Sequence, residues 1–167
     1  MNKHAHSLGL LNTKFINPTG LTHTENYSTA KDMTVLTATC LQNGLLRIIF
    51  KKKAHKCEVR NDKLGYNREV VWKNTNKHLY KIKECIGVKT GITPGAGPCL
   101  SSAYRIGSRK LVVVLLNCSN LDSRYNDAEL LYKWSRCKYS NPFFLSFFLS
   151  FSSNELNLGL IFILISN

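Results

Sequence analysis

The residues best suited to chemistry lie in segment 87–100, which combines one Lys and two Thr with four Gly. Gly91 has no side chain, so another extended chain can approach its backbone closely. Lys89 places a compact positive charge beside that backbone, and Thr90 adds a hydroxyl. An extended peptide that ends in a carboxylate fits such a strand edge, because main-chain hydrogen bonds hold it and the ammonium group meets its terminus. In the alternative interpretation, the segment is a strand, a turn and a strand whose Gly residues serve only the bends.

A Lys-Thr-Gly triplet is one of three motifs shared by penicillin-binding proteins and serine β-lactamases. Around Lys89 the longer string Gly-Val-Lys-Thr-Gly-x-Thr-x-x-Ala-Gly-x-Cys-Leu resembles the D-alanyl-D-alanine carboxypeptidases of the low-molecular-weight penicillin-binding proteins. Further similarity follows in the family's order over residues 8–10, 12–21, 27–33, 74–77 and 124–134. The resemblance covers residues 1–136.

The resemblance implies a reaction and a role for each matching residue. In the family, a Ser attacks the penultimate D-alanine carbonyl, a Lys one helical turn later takes its proton, and a Ser in a Ser-x-Asn motif relays it to the leaving D-alanine. Lys89 would steady that second Ser and attract the substrate carboxylate. Thr90 would hydrogen-bond the carboxylate, and Gly91 would let the substrate lie along the strand. Arg124 matches a family Arg that helps to anchor the carboxylate, the alternative being a solvated Arg at a helix start. No cofactor and no metal ion is implied.

The predicted site contains one conflict. Regular strand alternation places Lys89, Gly91 and Thr93 on one face and Thr90 on the other. Thr90 can therefore share the site only at a twisted strand edge.

The family has two further motifs, Ser-x-x-Lys with the nucleophilic Ser and Ser-x-Asn with the relay Ser. Both should precede residue 12, and neither is found there. Ser28 and Lys31 form a Ser-x-x-Lys string, as do Ser135 and Lys138, and residues 152–154 match Ser-x-Asn. We interpret all three as chance matches, and expect the Ser28 hydroxyl to cap a helix. The prediction is a C-terminal part of a catalytic domain, with no catalytic residue assigned and no activity alone.

Composition limits the other function classes. The chain has 167 residues and 44% hydrophobic content, which suffices for one packed core. The net charge of +13 favours anionic partners: nucleic acid, anionic lipid or a cell-wall polymer. Much of the excess lies in segment 47–63, where no aromatic residue interleaves the basic ones from residue 51 on, so we expect no nucleic-acid binding. The six Cys allow three disulfides or buried free thiols, and without a Cys-x-x-Cys string no zinc site is expected.

The predicted fold class is α+β, a partial serine β-lactamase-like fold with an antiparallel sheet packed against helices. Strands are expected over residues 86–93, 98–104 and 110–117, the last buried on both faces because it is apolar throughout. A helix is expected from Ser28 to the stop at residues 43–44, and another from residue 122 or 123 to 136. Segment 45–50 fits a helical turn or a strand, segment 51–67 is polar, and segment 69–72 fits a short strand.

The composition changes after residue 136, so we predict a domain over residues 1–136 and an apolar tail over residues 137–167. Each apolar half of the tail is shorter than the ~20 residues of a membrane helix, and Glu155 between them would cost roughly 2.5 kcal/mol. The tail is either a membrane contact or translated non-coding sequence.

The chain opens without a secretory signal although the family is extracytoplasmic, which agrees with a truncated gene model and leaves the location open. Alternative functions are a non-catalytic remnant that binds peptide carboxylates or cell-wall material, and a basic membrane-surface protein.

Overall fold

A computed structural model describes residues 1–61, 65–139, 150–151 and 160–166. Its helices are α1 Asn2–Ser7, α2 Ala30–Cys40, α3 Gly44–Lys51, α4 His78–Lys81 and α5 Ser123–Tyr139. Its strands are β1 Ala54–Asn61, β2 Tyr66–Lys73, β3 Cys85–Thr93, β4 Gly97–Ile106, β5 Arg109–Leu116, β6 Ser150–Phe151 and β7 Leu160–Ser166. Five strands form an antiparallel sheet in the order β3-β4-β5-β7-β6, and β1 pairs with β2 alone. The α+β prediction is confirmed.

Strand β5 lies at the centre of the packing. Its side chains alternate between two cores: Leu111, Val113 and Leu115 pack with residues of α5, whereas Val112 and Val114 belong to a cluster that includes residues from α2. All five are at most 1% exposed. The unbroken apolar sequence of β5 therefore reflects burial on both faces, as predicted.

Helix α2 begins one residue later than predicted. Its N-cap is Thr29, whose hydroxyl accepts a hydrogen bond from Asp32 N at 3.1 Å. Ser28 is not the cap, because its hydroxyl pairs with the Thr13 hydroxyl at 2.8 Å. The buried Asp32 carboxylate accepts from Thr13 Oγ1 at 2.7 Å and from Asn12 N at 2.9 Å. These bonds fasten the loop before α2 to the first turn of the helix.

The segment after α2 contains more structure than its sequence predicted. Residues 45–50 form part of a helix, and Asn43 caps it by accepting from Leu46 N at 3.1 Å. Polar segment 51–67 contains strand β1 and the start of β2. Segment 69–72 lies within β2, as predicted, whereas β1 was missed because most of its side chains are exposed, so no apolar alternation marks that strand. Phe50 packs against Gly87 of β3, where a Cβ would lie 2.7 Å from the Phe50 Cβ.

The end of the chain continues the sheet. Helix α5 runs to residue 139, and β7 pairs with β5 from Lys110 to Leu116. The predicted domain boundary after residue 136 falls inside α5 and stays a prediction. Residues 152–154, with the Ser-x-Asn match, lie outside the described residues. In the described part of the chain no single helix has the length and hydropathy to cross a membrane, although α2 and α3 pass that test together as a pair bent by 107°.

All six Cys are free thiols in the structure. Burial is the main reason that the pKa of Cys118 rises to about 11, and it also raises the pKa of Cys85. Both thiols are therefore protonated and unreactive near neutral pH.

A buried His lies in the α5-side core. His78 Nδ1 pairs with the Tyr104 hydroxyl at 2.6 Å, and the ring packs edge-on against Tyr125. Burial lowers the pKa of His78, Glu129 raises it by a smaller amount, and Lys81 lowers it. His78 therefore stays neutral in the folded protein at a pH where the unfolded chain already binds a proton.

We expect the free energy of unfolding to fall as the pH drops from about 7 to about 5, because the His78 pKa is lowered from its ordinary value of about 6.5. The contribution of His78 to stability is complete above that pH and decreases below it, by about 1.4 kcal/mol for each unit by which the folded-state pKa is lowered. Urea unfolding at several pH values measures this loss. His78→Gln should flatten the dependence, whereas His55→Gln at an exposed position should leave it unchanged. An equal slope in both variants would contradict the assignment.

Deleting residues 140–167 should uncover the edge of β5 along the seven positions that β7 pairs. An unpaired edge with an apolar strand behind it promotes edge-to-edge association, so we expect lower stability and concentration-dependent oligomers. Light scattering after size exclusion measures this, with a chain that ends at residue 166 as the control. A shortened chain that stays monomeric with unchanged unfolding would show that β7 does not protect this edge.

Candidate functional site

The Lys-Thr-Gly motif lies on an edge strand. Strand β3 pairs with β4 on one side, and no described strand pairs with its other side. At Gly91 a Cβ would meet no heavy atom within 4 Å, so the space beside this residue is open. A free strand edge with open space can accept another extended chain.

Lys89 projects toward the α2 side of the sheet. It is exposed, and its partner on β4 is Ser101, whose hydroxyl pairs with Thr37 of α2 at 2.7 Å. The Lys89 ammonium group donates to the carbonyl oxygen of Thr90. The cation thus lies folded back against the strand that carries it.

Thr90 projects to the opposite side, as strand alternation predicted. It is buried, and its hydroxyl pairs with the Thr75 hydroxyl at 2.6 Å. Tyr125 of α5 donates its hydroxyl to Thr75 O at 2.9 Å. Thr75 was not predicted as a site residue, although the Asn-Thr-Asn string that contains it belongs to the family resemblance. The site therefore includes the segment before α4 as well as β3.

Arg124 is a buried residue in the first turn of α5, with 8% of its surface exposed. Its Nη1 donates to Gly91 O at 3.0 Å and to Cys99 O at 3.1 Å, and these two residues are partners in the β3–β4 ladder. The guanidinium lies 5.1 Å from the Tyr125 ring centroid, and its Nε has no hydrogen-bond partner in the described structure. The alternative of a solvated Arg is therefore wrong, because the side chain is buried against the strand it holds.

A second contact joins the start of α5 to the segment that carries Thr75. Lys77 and Asp122 form an ion pair at 2.9 Å, and this hydrogen bond is the main reason that the pKa of Asp122 is lowered. Helix α5 thus contacts both structures that border Thr90. The structure brings Thr90, Gly91 and Arg124 together directly, and places Lys89 on the other face of the same strand.

Neither Ser-x-x-Lys string forms a nucleophile site in the described residues. The Ser28 hydroxyl is bonded to Thr13, and no hydrogen bond joins it to Lys31. Ser135 is fully buried within α5. A substrate cannot reach a hydroxyl enclosed in a core, so Ser135 is excluded.

Comparison with known proteins decides the family. A family model described as D-alanyl-D-alanine carboxypeptidase matches residues 1–120. The chain belongs to the D-alanyl-D-alanine carboxypeptidase family.

Individual relatives agree with this family. The chain is 33% identical over 128 residues to the D-alanyl-D-alanine carboxypeptidase of Streptomyces sp. (strain K15), covering 77% of this chain and 44% of the relative. It is 31% identical over 135 residues to a D-alanyl-D-alanine endopeptidase of Escherichia coli (strain K12), covering 80% and 42%. The crystal structure of the Streptomyces K15 DD-transpeptidase superposes with a TM-score of 0.76 at 33% identity, covering 81% of this chain and 52% of that one. This carboxypeptidase-family chain therefore has the DD-peptidase fold and spans about half the length of its relatives.

In this family member, Arg124→Met should destabilise the fold by about 2–3 kcal/mol, because it removes charged hydrogen bonds to two carbonyl oxygens. Urea unfolding measures the loss, and amide exchange should accelerate most along β3 and β4. Arg105→Met removes an exposed Arg from β4 and should change stability by less than about 0.5 kcal/mol. Equal effects of the two substitutions would show that Arg124 does not hold the strand pair.

Proposed function

We propose that the free edge of β3 binds the terminal carboxylate of a peptidoglycan stem peptide that ends in D-Ala-D-Ala. The observation that carries this proposal is the open edge at Gly91 with the exposed ammonium group of Lys89 beside it. Family membership supports the same substrate class. The chain would thus supply the carboxylate-binding strand of a serine-type D-Ala-D-Ala carboxypeptidase.

The peptide would lie along β3 and continue the sheet. Main-chain hydrogen bonds give affinity in this mode, and side chains at the edge select the ligand. Gly91 leaves room for the peptide backbone, where any larger residue would occupy the open space.

Lys89 supplies the attraction for the negative charge. In the unliganded chain its amine donates to a neutral carbonyl, Thr90 O. A carboxylate is a stronger acceptor than a carbonyl, so a bound peptide terminus would draw the ammonium group away from Thr90 O. Because the side chain is exposed, this rearrangement requires no change in the core.

Thr90 is buried on the face of β3 opposite Lys89, so its hydroxyl would meet the same carboxylate only around the edge of the strand, and there it would keep its partner. Its hydroxyl and that of Thr75 lie 2.6 Å apart, and either can be the donor. When Thr90 donates to a carboxylate, Thr75 donates to Thr90, so both hydroxyl protons are used. Arg124 lies in the first turn of α5, and its hydrogen bond to Gly91 O fixes the position of the backbone that the peptide would contact.

A second candidate function is binding without catalysis. Hydrolysis through a covalent intermediate needs a hydroxyl beside a base, and neither Ser28 nor Ser135 provides one. We therefore assign no nucleophile among the residues that the structure describes, and expect the chain to form no covalent adduct with fluorescent penicillin. An adduct would overturn that assignment and favour the catalytic function.

The binding proposal is tested with a peptide that ends in D-Ala-D-Ala and with its C-terminal amide. We expect the amide to bind about tenfold or more weakly, because it lacks the charge that meets Lys89. Chemical-shift titration of the labelled chain gives both dissociation constants and should locate the changes on β3.

Lys89→Gln should remove the preference for the carboxylate, whereas Lys83→Gln, an exposed Lys just before β3, should retain it. Equal affinity of the parent chain for acid and amide would refute the proposed site.

A further inference from the structure

Helix α3 carries apolar side chains on two sides. Leu46 and Phe50 are half-buried, and Phe50 packs against the core. Leu45, Ile48 and Ile49 are 67%, 68% and 53% exposed. Their spacing of i, i+3 and i+4 places them on one face of the helix. No described residue covers this second apolar face, which we call the α3 stripe.

Cations surround the α3 stripe. Arg47 and Lys51 are exposed on the same helix, and Lys52 and Lys53 follow directly. None of these four side chains forms a salt bridge with an Asp or Glu that the structure describes. By contrast, Lys56 farther along β1 pairs with Glu69. The positive charge next to the stripe is therefore not neutralised by neighbouring carboxylates.

An exposed aromatic residue lies close to these cations. Trp72 is 61% exposed on β2, and its partner on β1 is His55. Lys52 Nζ lies 3.0 Å from His55 Nδ1, which brings the cationic segment to the base of the ribbon. Trp is favoured where an apolar phase meets water, because one part of its ring system is apolar and its N–H is polar.

We infer that the α3 stripe, the cations of residues 47–53 and Trp72 form a docking face for an anionic membrane surface. Aliphatic side chains enter the boundary between head groups and acyl chains, while Lys and Arg meet anionic lipid phosphates. Nucleic acid offers the same negative charge but no apolar layer for Leu45, Ile48 and Ile49. The residues of this face are different from those of the carboxylate site on β3, and all of them precede β3 in the sequence.

The test is flotation of the full chain with phosphatidylcholine vesicles that do or do not contain phosphatidylglycerol. We expect binding to the anionic vesicles only, with a decrease at high salt because the cations contribute. Ile48→Gln combined with Leu45→Gln should weaken binding about tenfold, since two aliphatic side chains no longer enter the lipid. Lys51→Gln combined with Lys52→Gln should weaken it roughly 25-fold, because each cation near an anionic surface contributes about a factor of five.

Matched controls come from other surfaces of the chain. Leu130→Gln replaces an equally exposed Leu on α5, at 63% exposure, and should leave binding unchanged. Lys3→Gln combined with Lys31→Gln removes the same charge from α1 and α2 and should change binding by less than about threefold.

Three outcomes would overturn the inference. In the first, every charge substitution weakens binding equally, the Leu45→Gln, Ile48→Gln variant binds like the parent chain, and a DNA duplex binds as tightly as the vesicles. That result would identify a site for polyanions. The second is no anionic preference at all. The third is a chain that is dimeric in solution and becomes monomeric in the Leu45→Gln, Ile48→Gln variant, which shows that a second copy covers the stripe.

Discussion

The geometry of the motif strand depends on one buried guanidinium. Arg124 Nη1 donates to Gly91 O and Cys99 O, which belong to residues paired across β3 and β4. These two bonds tie the carbonyl oxygens of both strands to one buried side chain, although its Nε has no partner in the described structure. The open edge beside Gly91 is thus a fixed backbone rather than a free loop.

The position of Arg124 depends in turn on β5. Because β5 buries both faces, α5 packs on one side of the sheet and α2 on the other. The first turn of α5 then reaches the backbone of β3 and, through Tyr125, the carbonyl of Thr75. On the other side, α2 contacts Ser101 next to Lys89 through the Thr37 hydroxyl. Core packing therefore places two helices against opposite faces of the proposed binding strand.

The residues of the proposed membrane face belong to other parts of the chain than that arrangement. The cations of residues 47–53 lie on α3 and just after it, and the contact of Phe50 with Gly87 fixes α3 against the start of β3. The proposed membrane face and the proposed carboxylate site are thus linked through this packing contact but use separate residues. This separation is what allows each to be tested with variants that leave the other intact.

The sequence alone determined the family, the α+β class and the three main strands, because these depend on local motifs and on apolar runs such as that of β5. It also singled out the Lys-Thr-Gly motif, whose role as a binding site stays a prediction. It could not place the N-cap of α2, since Ser and Thr are both favoured caps and the pairing of the Ser28 hydroxyl with the distant Thr13 is not visible in the sequence. It also missed strand β1 and the first residues of β2, whose exposed side chains follow no apolar period. Only the tertiary structure showed that Thr75 pairs with Thr90 and that Arg124 is buried against Gly91. Those contacts join residues 15 and 33 positions apart, and the packing of α5 on the sheet, rather than local sequence, brings them together.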